Sequence, residues 1–150
     1  MEKLYKGLKE KHSLPDFDTL NQEFEISLIE EEDFFLRSIR KNIIEKIDFT
    51  LDILDDILHP ESGFSSYKES GAFSDGDRDD IFKLYRQLMF FKRLSTELSF
   101  GDSDAKNAKF VTDFMAEWPK MKETVLVFVK KLKESWQGEI AKKEIVGYLG

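Results

Sequence analysis

Between Leu36 and Leu58, apolar side chains return at steps of three and four: Leu36, Ile39, Ile43, Ile47, Leu51, Leu54 and Leu58. That period belongs to an α-helix with one buried stripe. At about 100° per residue, Phe35, Phe49, Ile53 and Ile57 join one flank of the stripe and Ile44 the other, widening the apolar arc to roughly 200°. One neighbour cannot cover so wide an arc. The segment therefore predicts a long helix, from about Thr19 or Glu32 to His59, enclosed by companions and stopped by Pro60. Arg40 projects into the arc. A lone buried guanidinium is costly, so its head is expected to snorkel to the edge; the alternative is an acid such as Asp33, within the fold or on a partner.

The other elements come from the same periodicity. Lys3 to Lys11 predicts a short amphipathic helix ended by Ser13-Leu14-Pro15, and Asp18 or Thr19 can cap the next helix. Phe24 to Ile29 alternates like a strand. Residues 60–76 form a long loop with Phe64, Tyr67 and Phe73, used functionally or packed by its own aromatics. Asp77 is expected to cap a third helix running to about Ser99, with Ile81, Leu84, Tyr85, Leu88, Met89, Phe91 and Leu98 inward. Phe100-Gly101-Asp102 makes a tight turn, and Ser103 caps a fourth helix with the stripe Val111, Met115, Trp118, Val125, Val129, Leu132 and Trp136. Pro119 interrupts it, predicting a kink or break near Glu117 to Pro119. The β-branched run Thr124 to Val129 could instead pair as a strand with Phe24 to Ile29. Residues 139–150 form a short terminal helix or tail. The fold predicted is all-α, an antiparallel bundle of four to five helices in a single domain over residues 1–150.

Composition narrows the class. With 41% hydrophobic and 13% aromatic residues, the chain has material for a continuous core. The absence of cysteine excludes disulfides, thiolate metal sites and a cysteine nucleophile, and leans toward a reducing compartment. Met1 to His12 alternates lysine with apolar residues, unlike a signal peptide. The longest apolar run, Val125 to Val129, falls far short of the roughly 20 residues that cross a bilayer. A cytoplasmic protein without a membrane span is the expectation. The net charge of -7 is unevenly placed: residues 1–80 hold 10 Lys/Arg against 21 Asp/Glu, and residues 81–150 hold 13 against 9. Such polarity can be neutralised on one mixed surface, or can orient assembly and attract a charged partner.

Spacing limits the candidate chemistry. Asp75, Asp77 and Asp79 imitate the first ligands of a calcium-binding helix-loop-helix. Asp80, however, stands where glycine is needed and Arg86 where the bidentate glutamate is needed. Acids favoured by a helix N-terminus explain them better. Glu30, Asp33, Glu45 and Asp48 are carboxylate pairs at helical spacing, reminiscent of the all-α nucleotide pyrophosphohydrolases that clamp magnesium. On one continuous helix the pairs would stand about 22 Å apart, so sharing an ion requires a break near residues 30–33. Glu45, Asp48, Asp52, Asp55 and Asp56 otherwise read as a solvated face. His12 and His59 sit in no metal-binding or nucleophilic arrangement, and no cofactor is implied.

Two partner surfaces remain. Lys83, Arg86 and Arg93 lie on the polar face of the third helix with Phe90 among them, a pattern suited to an acidic partner or to nucleic acid, though Glu97 interrupts it. Packing of Phe90 against the long loop or the first helix is the competing reading. At the C-terminus, Lys142-Lys143-Glu144-Ile145-Val146-Gly147-Tyr148-Leu149 resembles the peptide by which replication and repair proteins plug into the ring-shaped DNA sliding clamp. The resemblance spans eight residues and implies Ile145 as the aliphatic plug, with Tyr148 and Leu149 as the terminal pair. Lys142 replaces the usual glutamine and Leu149 an aromatic.

The sequence thus points to a non-enzymatic helical interaction protein, an adaptor or subunit with a charge-polarised surface. A protein is the expected partner, with self-association or nucleic acid as lesser options. The alternatives are a replication or repair accessory that binds the clamp, and a magnesium-dependent nucleotide phosphohydrolase.

Overall fold

The computed structural model describes residues 2–137. It is an all-α bundle: α1 (Glu2–His12), α2 (Phe17–Phe24), a 3₁₀ turn (Ile26–Leu28), α3 (Phe35–Leu58), α4 (Phe64–Ser70), α5 (Asp75–Leu98) and α6 (Asp104–Glu134). No strand occurs among the described residues, so the pairing of Phe24–Ile29 with Thr124–Val129 is overturned. After Phe24 the chain leaves helical geometry because Glu25 takes a left-handed conformation, φ 52°, before the 3₁₀ turn, in which Ile26 is buried while Ser27 and Leu28 are exposed. The tail residues 139–150, with Ile145, Tyr148 and Leu149, lie outside the described residues.

The chain divides into two compact units: Met1–Phe49 with Leu88–Pro119, and Thr50–Gln87 with Lys120–Gly150. Helices α3, α5 and α6 each contribute to both.

In the first unit the long helix begins at Phe35, not at Thr19 or Glu32. A separate short helix, α2, precedes it. Asp16, rather than Asp18 or Thr19, occupies the N-cap position of α2, with its carboxylate ion-paired to Lys9. The α1–α2 corner is fixed by the Tyr5 hydroxyl, which donates to the Pro15 carbonyl, and by the Tyr5 and Phe17 rings meeting edge-on at 5.5 Å. Burial and the nearby Asp16 charge push the Tyr5 hydroxyl above its ordinary pKa.

The core of this unit is aromatic. Phe110, Phe114 and Trp118 repeat every four residues along α6, so their rings stack in a column: centroids lie 6.4 Å apart for Phe110–Phe114 and 5.3 Å for Phe114–Trp118. Phe91 meets Phe114 edge-on at 5.2 Å, and Phe24 closes the other side at 5.8 Å. Phe110 and Phe114 lie outside the predicted α6 stripe, yet both are fully buried.

Arg40 does not snorkel. It is 3% exposed and satisfied from three directions: its Nε donates to Asn107 Oδ1 at 2.8 Å, and its Nη1 to the Ser95 carbonyl at 2.9 Å and Ser95 Oγ at 2.5 Å. Its acid is Asp102, at 3.6 Å, not Asp33. Asp102 in turn accepts two bonds of 2.7 Å from Arg37, a planar fork on a carboxylate. Those bonds, with one from Asn107 Nδ2, hold the Asp102 carboxyl well below the usual carboxylate range. Burial pulls the Arg40 guanidinium down from its ordinary value, and Asp102 opposes that shift.

The second unit is largely aliphatic, with Leu51, Leu54, Ile57, Ile81, Leu84, Met121 and Val125 buried; Phe73 and Phe128 pair at 6.1 Å. Residues 60–76 are not a plain loop, since they include α4. Its Phe64 ring meets Trp136 edge-on at 6.3 Å, and the Trp136 indole N–H donates to Glu69 at 3.1 Å. Trp136 therefore lies beyond the end of α6, half in solvent, rather than completing the buried stripe. Arg78 satisfies the C-terminal ends of two helices, donating to the Ile57 carbonyl of α3 at 2.7 Å and the Ser70 carbonyl of α4 at 2.9 Å.

Helix α5 starts with a reciprocal cap. The Asp77 amide donates to Ser74 Oγ at 3.1 Å, and the Ser74 amide to Asp77 Oδ2 at 3.0 Å. Ser74 is thus the capping residue and Asp77 its third-position partner, a correction to the expectation that Asp77 caps. Ser103 caps α6 as predicted, accepting from the Lys106 amide at 3.2 Å. Of the kink or break expected near Glu117 to Pro119, a break is absent: α6 runs on for 31 residues with Pro119 inside. The proline occupies an exposed position of the helix, and it is the residue at which α6 passes from the first unit to the second.

Candidate interaction surfaces

On α5, the positions Lys83, Arg86, Phe90 and Arg93 are spaced by three and four residues, which places them along one side of a single helix. All four are exposed, opposite the buried stripe of Ile81, Leu84, Leu88, Phe91, Ser95 and Leu98. Phe90 is 64% exposed, and its only ring contact among the described residues is the neighbouring Phe91, at 5.5 Å. The reading that Phe90 packs against the long loop or the first helix is therefore overturned. Lys83, Arg86 and Arg93 form no ion pair or side-chain hydrogen bond among the described residues, in contrast to Lys92, which is bridged to Asp48 at 2.8 Å. Phe82, 53% exposed, falls on the same side of α5. Sequence reasoning missed it, although its helical phase, one step before Lys83, could have revealed it.

A second surface lies in the first unit, where α2 meets α3. A groove of about 610 Å³ is lined by Gln22, Glu23, Phe24, Glu25, Leu28, Ile29, Asn42, Glu45, Lys46 and Phe49. Asn42, Glu45, Lys46 and Phe49 form one face of α3, and Asn42 Nδ2 donates to the Phe24 carbonyl at 3.0 Å, fixing the end of α2 beneath the groove. Glu23 accepts from the Trp118 indole at 3.1 Å. Asn21 bridges the sharp bend after α2, its Oδ1 accepting from the Ser27 amide at 2.8 Å. Phe49 was expected in the buried arc of the long helix but is 64% exposed, because Leu36, Ile39, Ile43 and Ile47 already fill the inward face. No sequence signal separated Phe49 from its buried neighbours, since phase alone placed it on the apolar flank.

The carboxylate pairs of the magnesium alternative fall on different segments, Glu30 and Asp33 before α3 and Glu45 and Asp48 within it. The chain does leave helical geometry between Ile29 and Phe34, but Asp48 is held by Lys92, and Glu45 lines the α2–α3 groove. No three His, Cys, Asp or Glu side chains converge in a metal-holding group among the described residues. Asp75, Asp77 and Asp79 lie within the first turns of α5 rather than in a loop, and Asp77 is bridged to Lys131 at 2.8 Å. No described helix is long and apolar enough to cross a membrane. No protein-family model, curated protein or solved structure matches the chain.

Proposed function

We propose that this chain is a non-enzymatic helical interaction protein, an adaptor or subunit of a macromolecular complex, that meets an acidic protein partner along the exposed side of α5. The observation carrying this reading is the exposed Phe90 ring standing among three exposed cations that have no counter-ion among the described residues. One exposed phenylalanine is ordinary on any surface. Unpaired arginines beside it are a different matter, because a planar guanidinium offers paired donors to a carboxylate while the ring buries apolar area at the centre of a contact. Three cations on one helix, with the exposed Glu97 beyond them, suit a few placed carboxylates of a protein better than a continuous phosphate backbone, whose binding sums many such contacts.

The test is affinity capture with the full chain as bait in its native cell, with Phe90→Ala and Arg93→Glu baits run beside it. A stoichiometric partner is expected that is lost from both variants and weakened as salt is raised, because screening shortens the reach of the cations. A partner held equally by all three baits, or no partner at any ionic strength, overturns the proposal.

A further inference from the structure

The lining of the α2–α3 groove combines exposed apolar side chains with carboxylates. Leu28 and Phe49, 71% and 64% exposed, line it with apolar surface, while Glu25 and Glu45 form no ion pair among the described residues. Lys46 is the only cation lining it. Glu30, Glu31, Glu32 and Asp33, which follow the groove-lining Ile29 in sequence, are all exposed as well. Glu25 holds its left-handed backbone where glycine or asparagine is the ordinary choice, a conformation that costs a non-glycine residue about 1 kcal/mol.

From this combination we infer that the groove is a docking site for a basic amphipathic helical segment of a partner protein. The face of α3 from Asn42 to Phe49 spans about two helical turns, the length over which a docked helix presents anchors at positions i, i+3 or i+4, and i+7. An apolar stripe on such a helix covers Leu28 and Phe49, and lysines or arginines flanking the stripe meet Glu25 and Glu45. The complementarity fixes the sign of the ligand: an acidic or neutral segment would leave two carboxylates facing like charge or apolar surface. This site is independent of the α5 face, which calls for the opposite charge.

The experiment uses the full chain and a fluorescein-labelled synthetic peptide of leucine and lysine patterned as an amphipathic helix, with a scrambled peptide of the same composition as control. Fluorescence anisotropy is expected to show binding of the patterned peptide at least about tenfold tighter than the scrambled one. That preference is expected to vanish in Phe49→Ser and Glu45→Lys, whose positions are exposed and whose helicity is checked by circular dichroism, and to survive in Phe90→Ala. Equal binding of both peptides would overturn the inference, as would a preference unchanged in the two groove variants or lost only in Phe90→Ala. A self-association of the chain that Phe49→Ser abolishes would assign the groove to a second copy and overturn it too.

Discussion

The two compact units solve the same packing problem with different chemistry. The first combines a stacked aromatic column with a charged network: Arg40, Arg37, Asp102, Asn107 and Ser95. The second relies on leucine, isoleucine and valine, and its half-buried Arg78 closes helix ends rather than filling an interior. The backbone divides in the same way among the described residues, where the non-glycine residues with positive φ, Ser13, Glu25 and Phe34, all belong to the first unit. Aliphatic stripes tolerate a slide or a swap of similar volume. A buried guanidinium does not, since moving α3 along α5 or α6 would strand Arg40 without acceptors. The first unit is therefore where this chain specifies one register, and where it supports the bends that carry the α2–α3 groove.

The largest test of that contrast is truncation of the aromatic column. Phe114→Ala is expected to cost about 4 kcal/mol and Leu54→Ala, in the aliphatic unit, about 3 kcal/mol, both read from urea midpoints. A milder loss at Phe114 than at Leu54 would mean the column is not the stronger anchor.

Removing the buried charge comes next. Arg40→Met keeps much of the stem but leaves Asn107 and Ser95 without their donor, an expected loss of about 3 kcal/mol, against about 1 kcal/mol for Arg78→Met. The network also predicts a response to acid. Arg37 and Asn107 depress the folded-state pKa of Asp102 below its unfolded value, so its contribution is fully present above the ordinary carboxylate range. It is lost as pH falls through that range toward the folded value. Urea midpoints measured from pH 6 downward should therefore decline below about pH 4, and Asp102→Asn should flatten the decline. Asp77 is shifted in the same direction by Lys131 and Ser74, so Asp77→Asn serves as the comparison from the second unit. If the two variants flatten the curve equally, the charged network holds no special place in acid stability.

The smallest expected effect lies at the α5 cap. Ser74→Ala removes one half of the reciprocal bond with Asp77, at about 1 kcal/mol, and hydrogen exchange at the Asp77 amide should quicken. An unchanged rate would show that the cap contributes nothing beyond what Lys131 already gives Asp77.

Local order along the chain was enough to read the helical class, the turn at Phe100-Gly101-Asp102, the Ser103 cap and the inward stripes of α3 and α5, because periodicity and capping chemistry are properties of neighbours in sequence. It was also enough to place Phe90 among cations on one side of α5. Three features came from packing instead: Arg40 is buried against Asp102, Phe49 is exposed, and α2 folds back to form a groove. Each of these turns on residues distant in sequence: Asp102 lies 62 positions from Arg40, and whether Phe49 faces core or water depends on which helix stands beside it. Helical phase gives a side chain its direction, but only packing gives it a neighbour.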